Sequence, residues 1–434
     1  MRFLFVALAG AAIVSAAAIE STQEKFNYDG YKVLRMDIEN EDEARRLTDI
    51  VDNLGLSWWK MPGEAGDHAT VQIPPDQVSA FEAGAAAAAF RNIEVVHDDL
   101  GYAIFQESNV TDTYEPGSNS MNWFGSYHTW DQHHQWFKDI QAKYPKNSAM
   151  VSMGKSVEGK DIFGIHIWGS AKGRKAFVMT GTIHAREWIV GKVIEYNVQG
   201  ILEEMEKEEM KPIMEKFDFF IYPFVNPDGF IFTSNTRMWR KNRAKTDKPN
   251  CLGIDCNRNF DTKWGGPGAS KDPCHEMYHG PSAASEPETK AIQNTILDIS
   301  KSQGVAFYID WHSYGQMILS PYGYNCQTEG PRFKEHMTHS NANADALKAV
   351  HGTQFRTGSA CKVLYQLSGS STDWAVDNAK VEFAYLQELR DKSGFVIKPE
   401  LIKPSGEEAW AGLKAMMKSY IKTNYAQSGF NETA

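Results

Sequence analysis

From residue 123 onward, short apolar runs rich in β-branched and aromatic residues alternate with long helical stretches. The runs 176–183, 217–225, 305–311 and 381–386 read as strands, and 189–208, 333–350 and 407–425 as helices. Strands that alternate with helices point to an α/β domain, a mixed, largely parallel twisted sheet flanked by helices. Open sheets of this kind bind ligands beyond the carboxyl ends of their strands, so the residues that follow each run carry the most weight.

The chain has 434 residues, too many for one ordinary domain, and its first hundred follow another pattern. Residues 31–36 read as a strand and 41–53 as a helix with Ala44, Leu47, Ile50 and Val51 on one face. Strands at 56–60 and 69–73 follow, then a helix opened by Pro74-Pro75-Asp76, then a strand at 93–97. The order β-α-β-β-α-β is that of a small ferredoxin-like α+β unit. It holds no cluster of His, Cys and carboxylate, so its expected role is packing or blocking. The expected boundaries are 1–18 for a signal peptide, 19–106 for the ferredoxin-like unit, 107–121 for a polar linker and 122–434 for the α/β domain.

Met1-Arg2, an apolar run from 3 to 14 and the small residues 15–18 make up the predicted signal peptide. A membrane anchor is the other reading of that run, but it falls short of the roughly 20 residues that span a bilayer. Secretion is therefore expected, with no membrane association. Net charge is −10 and spread along the chain, which argues against a nucleic-acid partner. Of the five cysteines most should pair in an oxidising compartment, and the odd count leaves one free. Sequons at Asn109 and Asn431 permit glycosylation.

Three metal-binding side chains follow the predicted strands. His184 and Glu187 come after 176–183, and His312 after 305–311. Two His and one carboxylate, with a fourth position open, make a catalytic rather than a structural zinc arrangement. A lone HxxE spacing is a weak signal, and periodicity alone does not make the two segments neighbours.

Six motifs occur in one order: His184-Ala185-Arg186-Glu187, Met238-Trp239-Arg240-Lys241-Asn242-Arg243, Asn257-Arg258-Asn259-Phe260, His312-Ser313-Tyr314, Tyr365-Gln366 and Glu388-Leu389-Arg390-Asp391. The series resembles the pancreatic-type (A/B) zinc metallocarboxypeptidases over the whole chain. That resemblance implies the carboxypeptidase fold, an N-terminal activation propeptide acting as intramolecular inhibitor, and a monomer that cuts the last peptide bond of peptide and protein C-termini. It implies one Zn²⁺ per chain, held by His184, Glu187 and His312, with Asp255 orienting a zinc-bound His. Glu388 becomes general base and then acid. A surface carboxylate paired with Arg390 is its other reading, disfavoured by the apolar run that precedes it. Arg243 is assigned to the oxyanion. Asn257 and Arg258 are assigned to the terminal carboxylate. Tyr365 closes over the bound residue, and Arg186 and Arg240 lie along the approach. The same resemblance pairs Cys251 with Cys274 and Cys326 with Cys361, leaving Cys256 as a small buried hydrophobe.

Thr372 matches the position where B-type enzymes carry an Asp at the pocket floor. The stretch 367–372, with Leu364, Ala360, Gly323 and Leu386 as further lining, contains no carboxylate, and Asp373 matches a structural acid. A basic side chain would find no counter-charge, so an A-type preference for aromatic and aliphatic C-terminal residues is expected. No Lys or Arg lies between Arg91 and Lys138, so the linker lacks a trypsin-type cut site. Cleavage near 118–121 by a protease of other specificity is the favoured reading, with cleavage at Arg91 or in the mature start, or activity without cleavage, as alternatives. A non-catalytic, peptide-binding relative would keep the fold without turnover; Glu388 and the full ligand set speak against it. Asn257-Arg258 and Tyr365 speak against a zinc amidase acting on cell-wall peptides.

Overall fold

The longest apolar strand decides the architecture: all eight residues of Val305–His312 are buried, as befits a strand covered on both faces. The structure is a computed structural model that describes residues 25–62, 66–108, 123–390 and 394–427. The predicted signal peptide, the stretch 109–122 with its cut site, and both sequons lie outside these residues.

The N-terminal unit contains β1 (Lys32–Ile38), β2 (Ser57–Lys60), β3 (Asp67–Ile73) and β4 (Ile93–His97) in the order β2-β3-β1-β4, antiparallel throughout. Its first helix, Glu41–Leu54, starts where the Asn40 side chain accepts from the Glu43 N–H and stops at Gly55, whose φ of 62° suits glycine. Leu47 and Val51 of that helix, with Phe81 and Ala85 of the helix Val78–Ala87, close a core on Leu34, Met36, Ala69 and Val71. This is the expected β-α-β-β-α-β order. The expected boundary at 106 falls inside a further helix, Leu100–Ser108.

The second unit holds β5 (Ser148–Lys155), β6 (Asp161–Ile167), β7 (Lys175–Gly181), β8 (Phe217–Tyr222), β9 (Val305–His312), β10 (Met317–Ser320), β11 (Arg356–Ser359) and β12 (Phe383–Glu388). They form one sheet in the order β11-β10-β12-β9-β7-β8-β6-β5. The four central strands β12, β9, β7 and β8 are parallel, whereas β10 pairs antiparallel with β12, and β6 with β8 and β5. The mixed, largely parallel sheet read from the sequence is therefore present. Helices Trp188–Glu204, Phe333–His351 and Ile402–Gln427 cover one face through Val190, Leu347 and Leu413. Pro287–Gln303 and Ser371–Asp377 cover the other through Ile292, Ile296 and Trp374. Cys251–Cys274 and Cys326–Cys361 are disulfides, and Cys256 is buried with a free thiol. Among the described residues no helix is long and apolar enough to cross a membrane.

The two units share an apolar cluster, Tyr28, Trp59, Leu100 and Ile104 from one, Met238, Tyr314, Phe395 and Val396 from the other. Its polar anchor is a buried ion pair. Arg237 Nε and Nη2 donate to the two Glu107 oxygens at 2.6 and 2.9 Å, and the Ile397 N–H donates to Glu107 at 3.1 Å. Removing one member of a buried pair strands the other charge, a loss of about 3–5 kcal/mol. Glu107→Ala is thus expected to loosen the docking, read as lost hydrogen-exchange protection across 100–108 and 394–397. Unchanged protection there would show that the apolar cluster alone holds the units together.

Candidate active site

Parallel pairing puts the ends of three central strands side by side. Gly181 of β7 lies opposite Trp311 of β9, and His312 of β9 opposite Glu388 of β12. Beyond β7 the chain passes through Thr182 at φ 54°, a left-handed conformation that costs a β-branched residue energy and occurs mostly where surrounding structure imposes it. His184 follows, and Glu187 stands directly before the helix Trp188–Glu204. The Asn257-Arg258 pair sits in a 3₁₀ turn, Cys256–Arg258, capped by the Asp255 carboxylate accepting from the Asn257 N–H at 2.9 Å.

His184, Glu187 and His312 are buried, and one ligating atom from each lies within 4.8 Å of the others. His184 Nδ1 faces Glu187 Oε1 at 2.9 Å, His312 Nδ1 faces Glu187 Oε2 at 3.2 Å, and the two Nδ1 atoms are 3.1 Å apart. Each outer nitrogen faces its own carboxylate: His184 Nε2 lies 3.3 Å from Asp255 and His312 Nε2 3.1 Å from Asp310. A proton held on Nε2 by an acid leaves the Nδ1 lone pair free. Two such lone pairs and a carboxylate converging at this distance fit a divalent cation, and the N, N, O donor set suits zinc. Burial would raise the Glu187 carboxyl, but the two histidines hold it below the carboxylate range. Burial opposes charge on His312, yet Asp310 and Glu187 push its pKa well above the ordinary value.

Glu388 is a carboxylate of another kind. Its Oε2 is buried without a hydrogen-bond partner, and burial pushes its carboxyl up to about 8. It lines a cavity of about 300 Å³ together with His184, Arg186, Glu187, Arg240, Asn257, Arg258, His312 and Tyr365. Arg258 Nη2 donates to the Tyr365 hydroxyl at 3.1 Å, and Arg240 donates twice to Asp255, at 3.1 and 2.7 Å. Arg186 forks onto Glu276 at 3.0 and 3.2 Å. The N-terminal unit closes the cavity with Ser57, Trp58, Trp59 and Lys60 of β2.

One of the expected site residues lies elsewhere. The Arg243 guanidinium stacks 3.5 Å from the Phe232 ring centroid and 4.7 Å from that of Trp239, and it lines a neighbouring cavity instead. Arg240 takes the place near Glu187 and Glu388, because its carbonyl accepts from the Ala185 N–H at 3.0 Å and pins that stretch beside His184. Leu364, Leu367 and Leu386 line the cavity, and Thr372 is 2 % exposed in the helix Ser371–Asp377. Sequence reasoning missed Asp310 and Glu276. Asp310 was within reach, since it stands two residues before His312 on a strand and so shares its face. Glu276 meets Arg186 across 90 residues, and no local pattern marks it.

Residues 133–412 match the zinc carboxypeptidase family, and residues 34–107 match the carboxypeptidase activation peptide. The chain belongs to the zinc carboxypeptidase family. Its relatives include metallocarboxypeptidase A of Trichophyton rubrum, 40 % identical with 96 % of this chain and 99 % of the relative covered. Carboxypeptidase A2 of Rattus norvegicus is 33 % identical over 90 % of this chain and 93 % of its own. Among solved structures, carboxypeptidase A from Helicoverpa armigera superposes with a TM-score of 0.80 at 26 % identity, covering 90 % of this chain and 98 % of that one. Thrombin activatable fibrinolysis inhibitor gives 0.81 at 27 % identity with the same coverage. This zinc carboxypeptidase is therefore a metallocarboxypeptidase with an activation peptide, a zymogen whose N-terminal unit forms one wall of the catalytic cavity.

Loss of a carboxylate behind a metal-binding His typically costs about 10–100-fold in metal affinity. Asp310→Asn should therefore bind zinc that much more weakly in competition with a chelator, with its circular dichroism unchanged. Wild-type affinity in a folded variant would remove Asp310 from the site.

Proposed function

We propose that this chain is a secreted proenzyme whose mature form hydrolyses the C-terminal peptide bond of peptides and proteins, with an A-type preference for apolar terminal residues. The observation that carries this reading is the buried, unpartnered Oε2 of Glu388 beside the His184–Glu187–His312 cluster, in a cavity that also holds Arg258 and Asn257.

In this reading His184, Glu187 and His312 hold one Zn²⁺. When bound, the metal would polarise the scissile carbonyl and lower the pKa of a water. Arg258 and Asn257 bind the substrate's terminal carboxylate, a task suited to the planar guanidinium, and the Tyr365 phenol stands at the edge of that site. Arg240, rather than Arg243, offers its charge to the carbonyl oxygen as negative charge develops, while Asp255 fixes its orientation from behind. Glu388 removes the proton from the attacking water and returns it to the leaving amine. Burial favours the protonated form it reaches midway, and an attacking water must find it ionised.

Leu364, Leu367 and Leu386 form the apolar wall. The nearby Asp373 is buried and engaged, accepting from the Gly323 and Tyr324 N–H groups at 3.0 and 3.2 Å. The activation peptide keeps the enzyme latent, and a protease that does not require Lys or Arg releases it by cutting near 118–121. Such a cut precedes Trp123, whose indole donates to buried Glu195 at 2.9 Å and whose carbonyl accepts from Lys192 at 2.8 Å, so the start of the catalytic unit stays anchored.

A general acid–base group contributes typically about 10²–10⁴-fold to the rate. Glu388→Gln should lower kcat by that factor on a blocked dipeptide while retaining zinc; near-normal turnover would exclude Glu388 as the base. Chelation should abolish the activity of the activated enzyme and added Zn²⁺ restore it, and activity that persists in demonstrably metal-free protein would refute the zinc assignment. Peptides ending in Leu or Phe should be cut in preference to the same peptides ending in Arg, and the reverse order would refute the A-type reading.

A further inference from the structure

The candidate pocket for the substrate's terminal side chain has a wall of leucines. Of the residues expected to line it, Leu364, Leu367 and Leu386 line the cavity. Leu367 is what stands over Gly323. A Cβ placed on Gly323 would come within 2.9 Å of Leu367 Cγ and 3.1 Å of Cδ1, so the leucine occupies the space that the missing side chain leaves. The Leu367 N–H donates to the Gly323 carbonyl at 3.0 Å, which locks the two segments in register.

The backbone that carries the leucine is closely packed as well. On the other side of its backbone lies Gly268, where a Cβ would come 2.7 Å from Leu367 Cα and 2.1 Å from the Gln366 carbonyl oxygen. That loop is in turn tied to the carboxylate-binding arginine, because Arg258 Nε donates to the Gly268 carbonyl at 2.7 Å. Leu386 closes the pocket from the sheet side; it precedes Glu388 by two residues on β12 and therefore shares its face. Leu367 is 2 % and Leu386 4 % exposed, and both pack in one cluster with Leu319 and Ala360. In an interior packed as densely as a crystal, a buried branched side chain on a fixed backbone yields little.

We infer that Leu367 shortens the pocket, so that the enzyme selects aliphatic C-terminal residues, Leu, Ile, Val and Met, over Phe, Tyr and Trp. The inference rests on the apolar preference proposed above and narrows it. A fixed wall that a ring must displace discriminates by about 10–200-fold, the range seen for small differences in a hydrophobic pocket.

The test is a ladder of blocked peptides that differ only in the terminal residue, Val, Leu, Met, Phe, Trp and Arg. Each is given to the full chain purified as the zinc-loaded proenzyme and activated by limited proteolysis. Wild type should show kcat/KM for Leu at least about tenfold above Phe. Leu367→Ala should bring Phe level with Leu or above it, and the milder Leu367→Val should move the ratio in the same direction. Equal cleavage of Leu and Phe by wild type would overturn the inference while leaving the apolar reading intact, as would an unchanged ratio in a folded Leu367→Ala. If that variant does not fold, the wild-type ladder and Leu367→Val decide. A preference for Arg would overturn the apolar reading and this inference together.

Discussion

Parallel pairing of β7, β9 and β12 sets Gly181 opposite Trp311 and His312 opposite Glu388, and the rest of the site depends on that register. Neighbouring strands lie about 4.8 Å apart, so groups at or just beyond their carboxyl ends are delivered to one small volume. A shift of a single residue would turn His312 to the other face of the sheet and separate it from Glu187. The register is held by burial on both faces, since β9 has no exposed residue and β12 has five buried residues of six.

Within that volume the carboxylates divide into two kinds. Glu187, Asp255 and Asp310 are buried but surrounded by donors. Asp310 alone accepts from Thr180 at 3.1 Å and from Asn257 at 3.3 Å, and it faces His312. Such acids fix their partners in place. Glu388 has a buried oxygen with no partner and a carboxyl raised to about 8. In the proposed mechanism this division suits different roles, the partnered acids as ligands and supports, the raised one as the group that exchanges a proton.

The activation peptide uses the same physics from outside. It covers the cavity with β2 and docks through an apolar cluster in which Tyr314 and Phe395 belong to the catalytic unit. Phe395 also lies under the Arg186 guanidinium, 4.2 Å from the ring centroid, so the surface that receives the peptide is continuous with the cleft it covers. Glu107 fills the role of an anion at Arg237, which also donates to the Arg186 and Phe395 carbonyls at 2.7 and 2.9 Å. One short helix thus ties the covering unit to the backbone that carries the cleft.

By itself the sequence determined the elements and most of the chemistry. Apolar periodicity marks the central strands and the covering unit, and the motifs single out His184, Glu187, His312 and Glu388, which the fold brings to one cavity, because those depend on residue type and on position at a strand end. Tertiary structure alone decided which of two arginines three residues apart faces the cavity. Arg240 and Arg243 stand in a stretch without regular structure, so no period gives their directions, and a single backbone bond to Ala185 settles the choice. It decided likewise that Leu367 stands against Gly323 in the cavity wall. That outcome follows from how closely two glycine-containing segments approach it, and close approach between distant segments leaves no trace in local pattern.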